Sequence, residues 1–419
     1  MSLPRLSLAV TLLVACANEE AAPTCVHQSC PEGMFCDADQ GVCLEEPIPA
    51  AAVGEIGSRN ALLVDQEGAL LVATYDRTHG ALAVGRGTGR QEMDFVFVDG
   101  ADDAQEPRDV GRHCAATLDA AGRLHVIYYD ATMGDARHAI LQGLRLLSVE
   151  TLDSEGDVGQ YASITAAGNT LHAAWRDETR GDLRYARRAG ETWEVVTVPP
   201  PSDTPCVDAA CAPAAPDVGR FASVGVAGGA PVIAHYDAAR GDLLLSRLDP
   251  GAWSTSRIDG IDPSSGANVA DVGRFASLAV APGGTVAVAY YDATNRALRY
   301  AYSESGALKV LIVDDGVHED PDTGVVRRNV VGQHARLVVS PAGVPSIWYL
   351  DATDMVIRRA VRGEGGGWSS AVAAGEAQGG PWIAAATLPD GRAAVAWEVL
   401  GLGTDTPGVV RDLALWVEP

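Results

Sequence analysis

The sequence predicts an all-β protein: a seven-bladed β-propeller of four-stranded antiparallel blades, preceded by a small disulfide-rich segment. Three observations support this prediction. A unit of similar sequence recurs seven times along the 419 residues. Each unit contains four apolar stretches of strand length, which turn residues separate. No unit shows the 3.6-residue apolar period of an amphipathic helix, which argues against a helical solenoid.

Two short motifs define the repeated unit. The first is Asp-Val-Gly-Arg/Gln, which is clearest at Asp157, Asp217 and Asp271. Its glycine recurs at intervals of 47 to 60 residues, at Gly57, Gly111, Gly159, Gly219, Gly273, Gly332 and Gly379. The second motif is an Asp after an aromatic-rich stretch, at Asp76, Asp130, Asp177, Asp237, Asp292 and Asp351, with Glu398 in the last copy. This period fits one propeller blade and is too long for a leucine-rich or β-helix solenoid.

The fifth copy shows the strands of one blade most clearly. The predicted strands are Phe275–Val280, Val286–Tyr291, Leu298–Tyr302 and Leu308–Val313. Val, Tyr and Ala are frequent in them, and turns containing Gly or Asp separate them. The second strand carries no charge on either face, which is expected if neighbouring blades cover both of its sides.

The end of the chain indicates how the ring closes. The last copy supplies three predicted strands, Trp382–Thr387, Ala393–Trp397 and Leu413–Val417. The apolar segment Ala50–Ile56 precedes the first complete copy. We expect this segment to pair beside Leu413–Val417 as the missing outer strand, because such a clasp would cover an open sheet edge.

The first residues indicate export and lipidation. Arg5 precedes an apolar run that is too short to cross a bilayer and is typical of a signal peptide. The run ends in Leu13-Val14-Ala15-Cys16, which resembles a bacterial lipobox with Cys16 as the lipidated residue. An ordinary signal peptide followed by a chance cysteine is the alternative. Because Ala17 follows rather than Asp, the resemblance to Gram-negative lipoproteins implies an anchor at the outer membrane.

The other cysteines agree with an oxidising compartment. Four of them crowd into one short segment: Cys25, Cys30, Cys36 and Cys43. This segment cannot bury a core, so we expect two disulfides in it, with three possible pairings. Zinc is the alternative, although the spacing lacks a C-x2-C pair. We also expect a Cys206–Cys211 bridge in a Pro-rich loop, and Cys114 as a buried, unpaired small residue.

These features divide the chain into five parts: a signal peptide at 1–15, a lipidated tether at 16–24, a four-cysteine module at 25–43, a linker at 44–49 and the propeller at 50–419. The formal net charge is −24, from 31 basic and 55 acidic residues. This charge argues against a nucleic-acid partner, whose phosphates it would repel. We expect a monomer that meets the membrane only through its lipid anchor.

Two hypotheses compete for the motif residues, which should share the face that carries the long inter-blade loops. In the first, a ligand with an anionic group is bound by two rings of side chains. The rings consist of Arg112, Gln160, Arg220, Arg274 and Gln333, and of Asp130, Asp177, Asp237, Asp292 and Asp351. In the second hypothesis, which we favour, each Asp caps its own turn and pairs with the Arg of its blade, because a residue needed in every blade serves to build the blade.

No cofactor is expected from the sequence. The acidic inter-blade loops could hold Ca²⁺, but none shows the alternating D-x-D-x-D-G pattern. The chain also lacks a G-x-S-x-G elbow, an H-E-x-x-H motif and a P-loop. We therefore nominate no catalytic residue. His113 and His334 occupy the position of Phe221 and Phe275 in other copies, so packing explains them.

The repeat resembles the sialidase-like, BNR-type propellers between Gly57 and Pro419. Turns before the fourth strand keep the Gly and Trp of an Asp-box without its Ser and Asp: Gly190-Glu191-Thr192-Trp193, Gly251-Ala252-Trp253 and Gly365-Gly366-Gly367-Trp368. The resemblance implies a glycoside hydrolase, but no unique Tyr/Glu pair of the sialidase kind stands out. We favour a non-catalytic envelope lipoprotein that binds a glycan, a surface polymer or a protein partner. A sialidase-like hydrolase and a lectin with sugar sites between blades are the alternatives.

Overall fold

The computed structural model describes residues 30, 34–37, 41–45, 53–100, 108–201, 216–260, 269–304, 307–319, 323–373, 379–402 and 409–418. Within these ranges the strands form seven blades. The first strands of successive blades contact one another in a closed circuit, which returns from the seventh blade to the first. This arrangement around one axis confirms the predicted all-β, seven-bladed propeller.

The chain begins its described part with a hairpin and then forms the first three blades. The hairpin consists of β1 (Met34–Asp37) and β2 (Val42–Glu45). Blade one contains β3 (Ser58–Val64), β4 (Leu70–Asp76), β5 (Ala81–Gly87) and β6 (Asp94–Asp99), with a 3-10 turn at Arg90–Glu92. Blade two contains β7 (Val110–Leu118), β8 (Leu124–Asp130), β9 (Asp135–Gln142) and β10 (Arg145–Asp153). Blade three contains β11 (Val158–Ala167), β12 (Thr170–Asp177), β13 (Asp182–Ala189) and β14 (Trp193–Val198).

The remaining blades follow the same antiparallel order. Blade four contains β15 (Arg220–Ala227), β16 (Ala230–Asp237), β17 (Asp242–Asp249) and β18 (Ala252–Asp259). Blade five contains β19 (Val272–Val280), β20 (Val286–Asp292), β21 (Ala297–Glu304) and β22 (Ala307–Asp314). A separate hairpin of β23 (Val317–Glu319) and β24 (Val326–Arg328) precedes blade six. Blade six contains β25 (Val331–Val339), β26 (Pro345–Asp351), β27 (Val356–Arg362) and β28 (Trp368–Val372), and blade seven contains β29 (Ala384–Thr387), β30 (Ala393–Leu402) and β31 (Val409–Val417).

The second strand of each blade lies in the core. Leu70–Asp76, Leu124–Asp130, Val286–Asp292 and Pro345–Asp351 are buried along their whole length. Their two faces pack on different neighbouring blades, which explains why neither face is polar. Among the described residues, no helix is long and apolar enough to cross a membrane.

The repeated glycine lies where neighbouring blades approach most closely. Gly111 has φ +99°, and a Cβ at this position would lie 2.7 Å from the Cα of Leu82 in the preceding blade. Gly273 has φ +106°, and its Cβ would lie 2.9 Å from the Cα of Leu243. Only glycine combines this backbone conformation with the absence of a side chain. The inter-blade contact therefore explains why glycine recurs once in every copy.

The ring closes without the predicted clasp over the residues that the structure describes. Val53–Ile56 is not a strand, and blade seven has three described strands. The segment instead forms a loop of the first blade, in which Gly54 N donates to the Asp76 carboxylate at 2.7 Å. The prediction that Ala50–Ile56 pairs beside Leu413–Val417 is therefore wrong for 53–56, and 50–52 lie outside the described residues.

Side chains hold the first and seventh blades together. Ile56 packs in one core cluster with Leu413 and Ala396 of blade seven. Arg90 Nη2 lies 2.9 Å from the Asp412 carboxylate. Apolar packing and an ion pair thus close the ring in place of main-chain pairing.

The N-terminal hairpin extends the sheet of blade two. Strand β1 pairs in parallel with β10, with Cys36 opposite Ser148, so the sheet has six strands. Cys30 and Cys43 form a disulfide, which selects among the pairings that the spacing left open, and Cys36 is also disulfide-bonded. Cys114 is free and buried, as predicted. The predicted sites at Cys16, Cys25, Cys206 and Cys211 lie outside the described residues.

Candidate functional site

The two sequence motifs lie on the same face of the ring, as predicted. Asp109 N donates to Thr132 Oγ1 at 2.8 Å, and Ala131 N donates to Asp109 O at 2.7 Å. The same two hydrogen bonds join Asp271 to the turn after Asp292 in blade five. Each inter-blade loop therefore rests on the Asp turn of its own blade.

The cations of the first motif contact the Asp of that motif. The ion pairs are Arg112–Asp109, Arg220–Asp217 and Arg274–Asp271. Gln160 Nε2 approaches the Asp157 carboxylate at 3.5 Å. Gln333 differs because Val330 replaces the Asp of its motif. In the hypothesis that these residues serve to build the blade, we paired the arginines with the Asp of the second motif. The structure corrects that partner.

A side chain from the preceding blade shares each of these carboxylates: a tyrosine for Asp109, Asp157 and Asp271, and Arg176 for Asp217. Tyr236 Oη donates to Asp271 at 2.9 Å, and Tyr129 Oη donates to Asp157 at 2.7 Å. Burial raises the pKa of Tyr129, and the nearby Asp157 carboxylate raises it further. Each Asp thus ties its own blade to the one before it.

The Asp residues of the second motif are buried in their turns. Asp130, Asp177, Asp237, Asp292 and Asp351 have no exposed surface. Asp292 Oδ1 accepts from Asn295 N at 2.8 Å, while Asp292 Oδ2 lies 2.6 Å from Arg299 Nη2. These contacts agree with turn capping, the other half of the structural hypothesis. A ligand-binding role for either ring stays a prediction.

Seven side chains surround the axis where the first strands begin, and we call them the collar. Its members are Arg59, His113, Tyr161, Phe221, Phe275, His334 and Trp382, one from each blade. Centroids of neighbouring rings from His113 to Trp382 lie 4.2 to 5.0 Å apart. Arg59 closes the circle: its guanidinium carbon lies 4.2 Å from the Trp382 centroid, and Nη1 contacts His113 Nδ1.

The collar depends on an unusual backbone conformation. All seven members have φ between +53° and +62°, the left-handed region that bulky residues avoid at a cost of about 1 kcal/mol or more each. In blade five the strand pairing jumps from Arg274 to Ser277, so that Phe275 sits in a β-bulge. The signal in the sequence is the large residue that follows the first motif. At His113 and His334 this signal predicted packing alone, and the ring around the axis was not foreseen.

An axial cavity of about 420 Å³ lies next to the collar, between the first strands of all seven blades. Small side chains such as Ala61, Ala115 and Ser163 form much of its wall. No Asp or Glu lines the cavity among the residues that the structure describes. The arginines on this wall are Arg59 of the collar and Arg336.

Arg336 stands at a position where the other six blades have Ala or Ser. The equivalent residues, two after each collar member, are Ala61, Ala115, Ser163, Ser223, Ser277 and Ala384. Ser277 Oγ accepts from the N–H of Leu337 in the next blade at 3.0 Å. Arg336 also reaches the next blade, where its Nε donates to Ile383 O at 2.8 Å. Its side chain is exposed to the cavity and has no ion pair within the described ranges.

Burial changes the proton affinity of the groups around the cavity. It lowers the pKa of Arg59 to about 10. The guanidinium groups of Arg59 and Arg336 both stay protonated at neutral pH. Burial lowers the pKa of His334 to about 3, so this ring is neutral. The cavity is therefore positively charged inside a chain whose net charge is −24.

The Trp residues at the turns before the fourth strands of blades four and six pack between blades. The Trp253 ring meets Tyr185 at 4.8 Å, and the Trp368 ring meets Tyr300 at 5.0 Å, both edge-on. Among the described residues, no three or more His, Cys, Asp or Glu side chains are grouped to hold a metal ion. The acidic stretches 101–107 and 261–268 lie outside the described residues.

No family model matches the chain, and no curated protein matches it in sequence. Solved structures that resemble it include an α-L-arabinofuranosidase from Fusarium graminearum, which is 12% identical with a TM-score of 0.45 over 72% of this chain and 92% of that one. A protein of unknown function from Dyadobacter fermentans is 13% identical, with a TM-score of 0.46 over 92% and 99%. The SapL1 lectin, solved with α-methyl fucoside, is 16% identical, with a TM-score of 0.43 over 76% and 96%. Likenesses this distant say nothing about the ligand or the activity of this chain.

Proposed function

We propose that this chain is a non-catalytic binding protein of the bacterial cell envelope, and that the collar end of its axial channel binds a glycan. The lipobox-like sequence at Cys16 supports export with a lipid anchor at the outer membrane. The Cys30–Cys43 disulfide supports an oxidising compartment.

The observation that carries the proposal is the combination of an aromatic collar with an open cavity. Aromatic faces and a few polar groups around a concavity are typical of small-ligand sites. The volume of about 420 Å³ falls within the range of roughly 300–1,000 Å³ that such sites occupy. A protein partner would need about 800 Å² of surface on each side, which this cavity does not offer. The geometry thus favours a glycan over a protein as the ligand.

The composition of the cavity wall favours binding over hydrolysis. Most glycosidases place two carboxyl groups on either side of the bond that they cleave. The described wall contains Tyr161 but no Asp or Glu. The motif arginines, which a sialidase would direct at its substrate, contact carboxylates of their own blades instead.

Binding stoichiometry separates this proposal from the lectin with sugar sites between blades. Small residues or hydrogen-bonded serines occupy six of the seven equivalent positions around the cavity, so blade six alone departs from the repeat at this position. We expect one glycan per chain in isothermal titration. Several equivalent sites would favour the lectin.

The decisive experiment compares binding and turnover by the same preparation. Detergent-solubilised full chain would be applied to a glycan array and incubated in parallel with a fluorogenic sialoside. We expect retained glycans and no release of the fluorophore. Turnover that Arg220→Ala or Arg274→Ala abolishes would overturn the non-catalytic assignment. Incorporation of labelled palmitate, compared with Cys16→Ser, tests the anchor separately.

A further inference from the structure

The axial cavity contains one charged residue that has no counterpart in the other six blades. Six blades close the same space with Ala or Ser, and blade six uses Arg336. The hydrogen bond from Arg336 Nε to Ile383 O leaves both terminal amino groups of the guanidinium without a hydrogen-bond partner in the described structure. This bond to the next blade therefore does not account for the charge of the guanidinium or for its terminal N–H groups.

Charge makes the arginine still less expected as a structural residue. The Arg336 side chain is exposed to the cavity, where its charge faces solvent. The motif arginines of the same protein have ion pairs, but the part of the cavity wall that the structure describes supplies no carboxylate to Arg336. The cavity is therefore an incomplete electrostatic site, which an anion would complete.

A second cation belongs to the same space. The Arg59 guanidinium lies between Trp382 and His113 in the collar, and it has no carboxylate partner there. Arg59 and Arg336 both line this cavity, together with Cys114. One anion in the cavity would thus feel both positive charges.

We propose that the axial cavity is an anion-binding site, in which Arg336 holds a carboxylate or sulfate group of the ligand and Arg59 adds a second positive charge at the collar. The planar guanidinium offers two N–H groups side by side, which match the two oxygens of such a group. This inference rests on the proposed function and makes the glycan an acidic one: its charged group enters the channel while its sugar ring meets the collar.

The test measures the affinity of the full chain for three probes by isothermal titration in a low-chloride buffer. The probes are inorganic sulfate, glucuronate and glucose, so that a free oxyanion, a charged sugar and a neutral sugar are compared. We expect glucuronate to bind most tightly, sulfate to bind more weakly, and glucose to bind weakest. A preference for glucose over glucuronate would overturn the proposal.

Variants locate the site. Arg336→Gln keeps a donor near Ile383 O but removes the charge, and we expect it to weaken glucuronate and sulfate binding at least tenfold. Arg336→Lys keeps the charge but loses the paired N–H groups, and it should fall between wild type and Arg336→Gln. Arg187→Ala removes the same charge from an exposed position of blade three and should bind like wild type. Equal affinities for wild type and Arg336→Gln would refute the site.

Thermal unfolding without added anion distinguishes a loss of binding from a folding defect. Because Arg336 is an unpaired cation, Arg336→Gln should melt at the wild-type temperature or above it. A lower melting temperature without anion would show that the arginine serves to hold the fold, which contradicts the proposal. Anion binding that depends on Arg336 while the array shows no glycan would refute the proposed function alone. Glycan binding that Arg336→Gln leaves unchanged would refute this inference alone.

Discussion

Replacing Gly273 by alanine should destabilise the protein more than the same replacement at Gly283. Gly273 has φ +106°, and an added Cβ would lie 2.9 Å from Leu243 Cα and 3.0 Å from Leu243 Cβ. Gly283 has φ +96° in an exposed turn of the same blade, and no atom lies within 4 Å of its added Cβ. The two variants therefore share the backbone penalty, and only Gly273→Ala adds a clash between blades.

The magnitudes follow from these two terms. A left-handed backbone costs an L residue about 1–2 kcal/mol, which is the whole expected effect at Gly283. Carbon atoms prefer separations of about 3.5–4.0 Å, so the new Cβ at Gly273 must push the preceding blade outward. Such overpacking adds about 1–3 kcal/mol. We therefore expect a loss of about 2–5 kcal/mol for Gly273→Ala, as the sum of the two terms.

Equilibrium unfolding in urea, followed by tryptophan fluorescence, measures both losses. The comparison is valid if the dependence of the unfolding free energy on urea is the same for both variants. Equal losses for Gly273→Ala and Gly283→Ala would refute the inter-blade clash, since the repeated glycine would then reflect backbone conformation alone.

Three further outcomes are expected. Tyr236→Phe should lower the free energy of unfolding by about 1 kcal/mol, the usual value of a hydrogen bond. In a double-mutant cycle, this loss and that of Asp271→Asn should be coupled. Additive losses would contradict the hydrogen bond between the two side chains. Stability should fall between pH 7.5 and pH 5, because burial lowers the pKa of His235 and His334 to about 3 while the unfolded histidines still take up protons near pH 6.5. Each histidine then lowers the free energy of unfolding by about 2 kcal/mol at pH 5. His235→Asn should reduce this loss of stability, measured by urea unfolding at both pH values. An unchanged pH dependence in the variant would contradict the lowered pKa of His235. The Cys114 thiol, whose pKa burial raises to about 12, should resist a thiol reagent until the protein unfolds, and rapid labelling of the folded protein would show that it is accessible.

The sequence predicts the blades well because their determinants are local and repeated. The four predicted strands of blade five lie within Val272–Val280, Val286–Asp292, Ala297–Glu304 and Ala307–Asp314 of the structure. The clasp at Ala50–Ile56 was harder to predict, because an apolar segment can pack as a loop as readily as it can pair as a strand. Ile56 reaches the core of blade seven without any main-chain pairing.

The partners of the motif residues required coordinates. Spacing places Arg274 and Asp292 on one face, but it does not reveal that Arg274 contacts Asp271, nor that Tyr236 of the preceding blade shares this carboxylate. The collar was also not predicted, because the sequence gives no sign that its members do more than pack between blades. Arg336 is visible in the sequence only once the copies are aligned to the collar position, and a left-handed bulge defines that position.

The most direct test of the binding site is a crystal structure of the protein soaked in selenate, with anomalous scattering used to locate the bound anion. We predict selenium density inside the axial channel, within hydrogen-bond distance of the Arg336 guanidinium. Density confined to the outer surface, with the channel empty of anion, would contradict the claim that the break in the sevenfold repeat is the binding site.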